Sequence, residues 1–246
     1  MLELPAEITP GLSSRASLLP ILVLLPGLDG TGKLFGEFVR VAGASLDSMI
    51  VAYPTDQPLG YDELQAIVMP ALPKDRRFVL LGESFSGPLS IRIAATQPAC
   101  LVGLILCGTF ARNPFRWLGW ARPLAGHLPV KSLPRWVRAP LMWGSLSPDR
   151  ATSQMERAMS GVATAVIRHR IGALLAVDET ESLRSLEIPT LVLRAARDRV
   201  ISKASSRWIT NTLPQAQLIE VDGPHLLLQT RAAECAALIV DFLRRL

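Results

Sequence analysis

Six short, largely apolar runs constrain this chain more than any other feature: 20–25 (PILVLL), 49–53 (MIVAY), 78–82 (FVLLG), 101–107 (LVGLILC), 190–194 (TLVLR) and 217–221 (QLIEV). None has the length of a buried helix, and none shows the strict alternation of a sheet wetted on one side, so each predicts a strand covered on both faces. Between them, residues 33–42, 61–71, 87–97, 203–212 and 230–245 predict helices. Strand–helix alternation of this kind implies an α/β fold with a mostly parallel central sheet and helices on both faces. With 49% hydrophobic residues in 246, the chain has the apolar surface for a sizeable core, which excludes intrinsic disorder.

The alternation breaks once. From 110 to 186 no strand is legible, prolines interrupt every helical pattern, and four of the five tryptophans fall there. This block predicts a helical cap inserted into the core, giving 1–109 and 187–246 as core and 110–186 as cap. Charge sets it apart too. Between Ala111 and Arg170 stand ten basic residues against Asp149 and Glu156 alone, a local charge of +8. With a total of +5, the remainder of the chain is at −3.

The three cysteines, Cys100, Cys107 and Cys235, are odd in number and scattered. They form neither a disulfide framework nor a zinc-ligand spacing, and they read as small core residues in a reducing compartment. The run LLPILVLLPG after Arg15 resembles a short signal-peptide core, but Glu3 and Glu7 spoil the basic flank and no small-residue cleavage site follows. No run reaches the ~18 apolar residues of a membrane span. The expected location is cytoplasmic.

Chemistry is concentrated at VLLGESFSGPL, residues 79–89. A strand ends at Gly82-Glu83, Ser84 follows in a tight turn, and Pro88 suits the first turn of a helix, where a missing N–H costs little. Small residues are needed around such a turn because backbone approaches neighbouring elements closely. Gly82 meets that need on one side. On the other stands Ser86, with Gly87 one residue later, a departure from strict G-x-S-x-G. The second glycine-rich stretch, LLPGLDGTG after the first strand, lacks the lysine-serine pair of a phosphate loop.

Taken with its context, GESFSG resembles the nucleophile elbow of the α/β-hydrolases, and the likeness extends over nearly the whole chain. In that family the triad runs serine, acid, histidine, with the acid after a late strand and the histidine before the last helix. His225, in VDGPHLL, occupies the histidine's slot, whereas His127 and His169 fall in the basic insert as surface or cap residues. Asp198, in TLVLRAARDRV, occupies the acid's slot. Its alternatives are a solvated carboxylate or an ion pair with Arg197 or Arg199. Asp222 ranks second as the acid, and Asp178 and Glu179 rank lower. By the same correspondence the oxyanion hole takes backbone N–H groups from Leu28 and Phe85, with Pro26-Gly27 replacing the usual His-Gly and Asp29 adding a carboxylate.

The resemblance implies a serine esterase acting on acyl esters or thioesters through an acyl-enzyme, with no metal or organic cofactor. A serine in place of aspartate argues against haloalkane dehalogenase chemistry. LPGLDGTG and GESFSG also resemble motifs of plant-type phytyl ester and diacylglycerol acyltransferase hydrolase-fold domains, so an acyltransferase is the alternative. A non-catalytic binding module is the third, and the retained serine, aspartate and histidine argue against it. The aromatic and aliphatic residues of the cap suit an apolar acyl chain. Its arginines are a solvated basic face, a docking surface for an acidic acyl carrier protein (Arg135 and Arg138 being candidates), or a contact to an anionic membrane. No nucleic-acid recognition motif contains them.

Overall fold

The computed structural model describes residues 19–115, 117, 120, 142–143 and 149–246. Arg135, Arg138 and His127 lie outside the described residues. Six strands form one sheet: β1 (Ile21–Leu25), β2 (Ser48–Ile50), β3 (Phe78–Glu83), β4 (Leu101–Cys107), β5 (Thr190–Ala195) and β6 (Gln217–Val221). Every pairing is parallel and the order is β2-β1-β3-β4-β5-β6. All six sequence-predicted strands are present, with shifted ends.

Period-two alternation explains why the central runs are continuously apolar. Along β3, Phe78 and Leu80 enter one core while Val79 and Leu81 enter the other. Along β1, Val23 and Leu25 divide from Leu22 and Leu24 in the same way. One face is covered by α2 (Tyr61–Ala71), α3 (Ser86–Ala95), α6 (Thr180–Arg184) and α7 (Lys203–Thr212). The other is covered by α1 (Gly36–Ala42), α8 (Leu227–Thr230) and α9 (Ala232–Arg244).

The outer strands depart from the expectation of full cover. Along β6 only Val221 is buried, and Leu218 is 40% exposed. β2 is three residues long rather than five, because the chain leaves the sheet after Ile50: the Tyr53 N–H donates to the Gly30 carbonyl at 2.7 Å, in the loop beyond β1.

Between β4 and β5 stand α4 (Asp149–Ser160), α5 (Thr164–Ala176) and α6, tied back to the chain near β4 by an isolated antiparallel bridge, Arg112 to Asp178. The described helices of this segment fall between 149 and 184, whereas residues 110–115 are not helical. Val162, Val166 and Ile167 form a small cluster that packs on Leu28, so the segment sits against the loop beyond β1.

Strand order fixes where a site can form. The chain moves outward from β1 to β2, then returns to build β3 on the other side of β1. The loops leaving β1 and β3 therefore diverge at their carboxyl ends, and ligands of open α/β sheets bind in the crevice at such a switch point. Those loops are Pro26–Thr31 and the turn at Ser84.

Candidate active site

Ser84 sits between β3 and α3 with φ +50°, a left-handed conformation that costs a non-glycine residue about 1–3 kcal/mol. The surroundings hold it there. The Ser84 N–H donates to the Cys107 carbonyl at 3.0 Å, the Gly87 N–H donates to the Ser84 carbonyl at 3.2 Å, and the Thr109 hydroxyl donates to that same carbonyl. Tyr61, stacked on Phe85 with ring centroids 4.8 Å apart, donates its hydroxyl to the Phe85 carbonyl at 2.9 Å. A Cβ on Gly82 would stand 2.4 Å from Ser90 Oγ, and one on Gly87 would stand 1.9 Å from Thr109 Oγ1. The close approach on the far side of the turn thus falls at Gly87, which frees position 86 for a side chain.

Ser86 uses that freedom. Its hydroxyl donates to the Pro26 carbonyl, leaving its oxygen to accept the Tyr53 hydroxyl at 2.6 Å. The departure from G-x-S-x-G is therefore a strut between the elbow and the loop beyond β1. That loop lies against Ser84: a Cβ on Gly27 would be 3.8 Å from Ser84 Cβ. The Gly30 N–H closes a turn onto the Gly27 carbonyl at 3.0 Å. Among the described residues, no acceptor pairs with the N–H of Leu28 or of Phe85.

The three residues singled out by motif order meet here. Ser84 Oγ lies 3.0 Å from His225 Nε2, and His225 Nδ1 lies 2.8 Å from Asp198 Oδ2. The His225 and Asp198 side chains are almost wholly buried, whereas Ser84 is partly open. Asp198 Oδ1 accepts the Val200 and Ile201 N–H groups, both at 2.8 Å, which fixes the carboxylate without a cation. With Oδ2 accepting a hydrogen bond from Nδ1–H, Nε2 presents a lone pair to the serine hydroxyl. Arg197, one alternative partner for Asp198, instead faces Asp222 at 3.3 Å, and Asp222 is exposed. Glu179 is engaged elsewhere by Arg92, and Asp178 accepts the Thr180 N–H. His169 is on the exposed face of α5.

Asp29 is buried, and its Oδ2 accepts both the N–H (2.8 Å) and the hydroxyl (2.5 Å) of Thr31. Burial raises its carboxyl above the ordinary value, against the pull of those bonds and of Arg170. Among the described residues no group of three or more His, Cys, Asp or Glu could hold a metal ion.

The sequence that builds this site matches a known family. Residues 61–224 fit the family described as serine aminopeptidase, S33. The chain belongs to that family of α/β-hydrolases. Among solved structures, an enol-lactonase from Burkholderia xenovorans superposes with a TM-score of 0.80 at 18% identity, covering 94% of each chain. A thermophilic esterase from Thermogutta terrifontis superposes at 0.76 with 20% identity, covering 92% of this chain and 90% of that one. These likenesses concern the fold. In sequence, the polyketide synthase ThaQ of Burkholderia thailandensis is 25% identical over 275 residues, which take in 99% of this chain. The chain spans 12% of that protein's length.

Several residues of this α/β-hydrolase site escape sequence reasoning. Gly108, at φ +53°, lies directly under the histidine: a Cβ there would be 3.3 Å from the His225 carbonyl oxygen and 3.9 Å from Asp198 Oδ2. The glycine just after an apolar run was its only signal. Glu83, beside Ser84, is buried and accepts hydrogen bonds from Gln229 Nε2 at 3.0 and 3.3 Å. Burial pushes its carboxyl up to about 7. Arg170 and Tyr53 carried no motif at all.

Proposed function

We propose that this hydrolase cleaves acyl esters or thioesters through an acyl-enzyme on Ser84. The observation that carries the reading is the unbroken hydrogen-bonded line from Ser84 through His225 to Asp198 at a left-handed elbow. Ser84 Oγ attacks the substrate carbonyl carbon while His225 Nε2 takes its proton, and Asp198 holds the imidazole and stabilises its cation. The oxygen that becomes negative faces the Leu28 and Phe85 N–H groups, and loss of one such donor costs about 10²–10³ in kcat. Collapse of the tetrahedral intermediate breaks the bond to the leaving alcohol or thiol, which takes the proton from His225. Water, deprotonated by His225, then releases the acid and restores Ser84.

The segment 110–186 is read as a cap over this site, and the core as 1–109 with 187–246. A carrier-bound thioester is the favoured substrate form, for two reasons. Residues 111–170 of the cap carry the +8 charge, suited to an acidic carrier protein and to the phosphate of its pantetheine arm. The polyketide synthase relative is a second support, since such chemistry proceeds on carrier-bound acyl groups. Arg135 and Arg138 are the docking candidates. The scattered cysteines suit a cytoplasmic setting, and among the described residues no helix is long and apolar enough to cross a membrane.

The test is hydrolysis of p-nitrophenyl esters from acetyl to palmitoyl by wild type and Ser84→Ala, beside an aminoacyl p-nitroanilide. Ester turnover lost in the variant, with fluorophosphonate labelling lost alongside, is the expected result. Turnover surviving in Ser84→Ala refutes the mechanism. Preference for the anilide moves the assignment to amides, and product diverted to an ester by added alcohol moves it to acyl transfer.

A further inference from the structure

The helix α5 carries one residue the mechanism has not used. Arg170 is wholly buried, yet it makes no ion pair among the described residues. Its two Nη atoms are spent on backbone, whereas the buried Nε has no partner among the described residues. Nη1 donates to the carbonyls of Leu28 (2.9 Å) and Asp29 (2.8 Å), and Nη2 donates to that of Pro54 (2.9 Å). The cation also lies 5.5 Å from the centre of the Tyr53 ring. Burying a cation is expensive unless its donors are used, and a planar fork with two reachable carbonyls on one side suits this geometry where an ammonium would not.

The loop is shaped to receive it. Gly30 has φ +71°, and a Cβ there would stand 2.4 Å from Arg170 Nη1. The 27–30 turn is consequently fixed at three successive peptides: the Gly27 carbonyl by the Gly30 N–H, and the Leu28 and Asp29 carbonyls by the guanidinium. In a trans peptide the N–H points opposite to the carbonyl, so bonding the Gly27 carbonyl inside the turn sends the Leu28 N–H outward. The Leu28 side chain is held independently, packed on Val162, Val166 and Ile167 at the start of α5. The Ala163 N–H, just before that helix, donates to the Thr55 carbonyl at 2.7 Å and anchors it to the loop beyond β2.

We infer that Arg170 is a positioning residue for the oxyanion site, and that α5 completes this site by holding the Leu28–Asp29 turn in place. The inference rests on the reading of Ser84 as nucleophile and of the Leu28 N–H as an oxyanion donor. Seating of α5 and catalytic competence are then one event: a substrate that stabilises the seated segment also orders the donor that stabilises its transition state.

Arg170→Met and Arg170→Lys test this on a p-nitrophenyl ester, with melting temperature and fluorophosphonate labelling as controls and Ser84→Ala in parallel. Expected is a fall in kcat of about 10–100-fold for Arg170→Met, less than the loss of a whole donor, with KM changed by less than about threefold. Affinity for a trifluoromethyl ketone, which captures Ser84 as a hemiketal with an oxyanion, falls by the same factor as kcat/KM. A purely structural role would not impose that proportionality. Arg170→Lys, retaining a cation and part of the bonding, recovers part of both losses. Should Arg170→Met fail to fold, Arg170→Lys decides on the same two readouts. Unchanged kcat, or a loss confined to KM, or ketone affinity that stays at the wild-type value, overturns the inference. Survival of activity in Ser84→Ala would instead overturn the mechanism beneath it.

Discussion

Replacing Glu83 by glutamine should make the protein more stable relative to wild type as pH rises. The carboxyl is buried one residue before Ser84, with Gln229 as its hydrogen-bond partner, and burial raises it from 4.5 to about 7. An acid held higher in the folded state binds more protons there than in the unfolded chain. Its favourable contribution is therefore complete below pH 4.5 and is lost as pH rises through 7. At about 1.4 kcal/mol per pH unit the whole loss is roughly 3 kcal/mol, of which about 2 kcal/mol falls between pH 5.5 and 8.5. Glutamine does not titrate, so Glu83→Gln escapes this loss. It also offers an N–H to Gln229 Oε1, a buried acceptor with no partner among the described residues of the wild-type protein. The measurement is urea unfolding of both proteins at pH 5.5 and 8.5. The stability difference, variant minus wild type, should rise by about 2 kcal/mol across that span. A difference independent of pH would show that Glu83 does not titrate there and that its burial is compensated in a way this hydrogen bonding does not supply.

Two further outcomes are expected. Ser86→Ala removes the strut, leaving the Tyr53 hydroxyl and the Pro26 carbonyl without a buried partner. A loss of about 1–3 kcal/mol in chemical denaturation should accompany a lower kcat, and an unchanged denaturation midpoint would count against the strut. In the native protein a thiol reagent should modify Cys100 alone, because burial lifts the Cys107 thiol well above its usual range and the Cys235 thiol to about 12. Mass spectrometry that found three labelled cysteines before unfolding would contradict that packing.

The sheet and the Ser84–His225–Asp198 line were legible in the sequence for a common physical reason. A strand buried on both faces is written as a local apolar run, and a left-handed turn needs small residues beside it, so both leave short-range marks. Asp198 and His225 were singled out by their order relative to those runs, and the fold brings both to Ser84. What stayed hidden depends on contacts between distant segments. Arg170 reaches residues 28, 29 and 54, and Glu83 meets Gln229; neither pairing has a period or a motif. Edge strands were read as buried because β6 has a partly apolar composition, whereas burial there depends on what packs beyond it. The helices at 149–160 and 164–176 were missed for want of clean boundaries, since helical pattern and proline interruption alternate through the preceding stretch.

The seam between β4 and β5 has a consequence for how the hydrolase is made. Everything that shapes the elbow, from β1 to Thr109, precedes the helical segment in the chain, whereas Asp198 and His225 both follow it. During synthesis the first four strands can therefore pair before His225 and Asp198 exist, and under the proposed mechanism a serine without its imidazole is a poor nucleophile. On that reading, arming comes only when β5 docks on β4 through Leu104–Cys107 and Thr190–Leu193, bringing Asp198 and then His225 over the turn. The half-made protein would carry a shaped but inert Ser84, and reactivity would arrive together with the completed sheet.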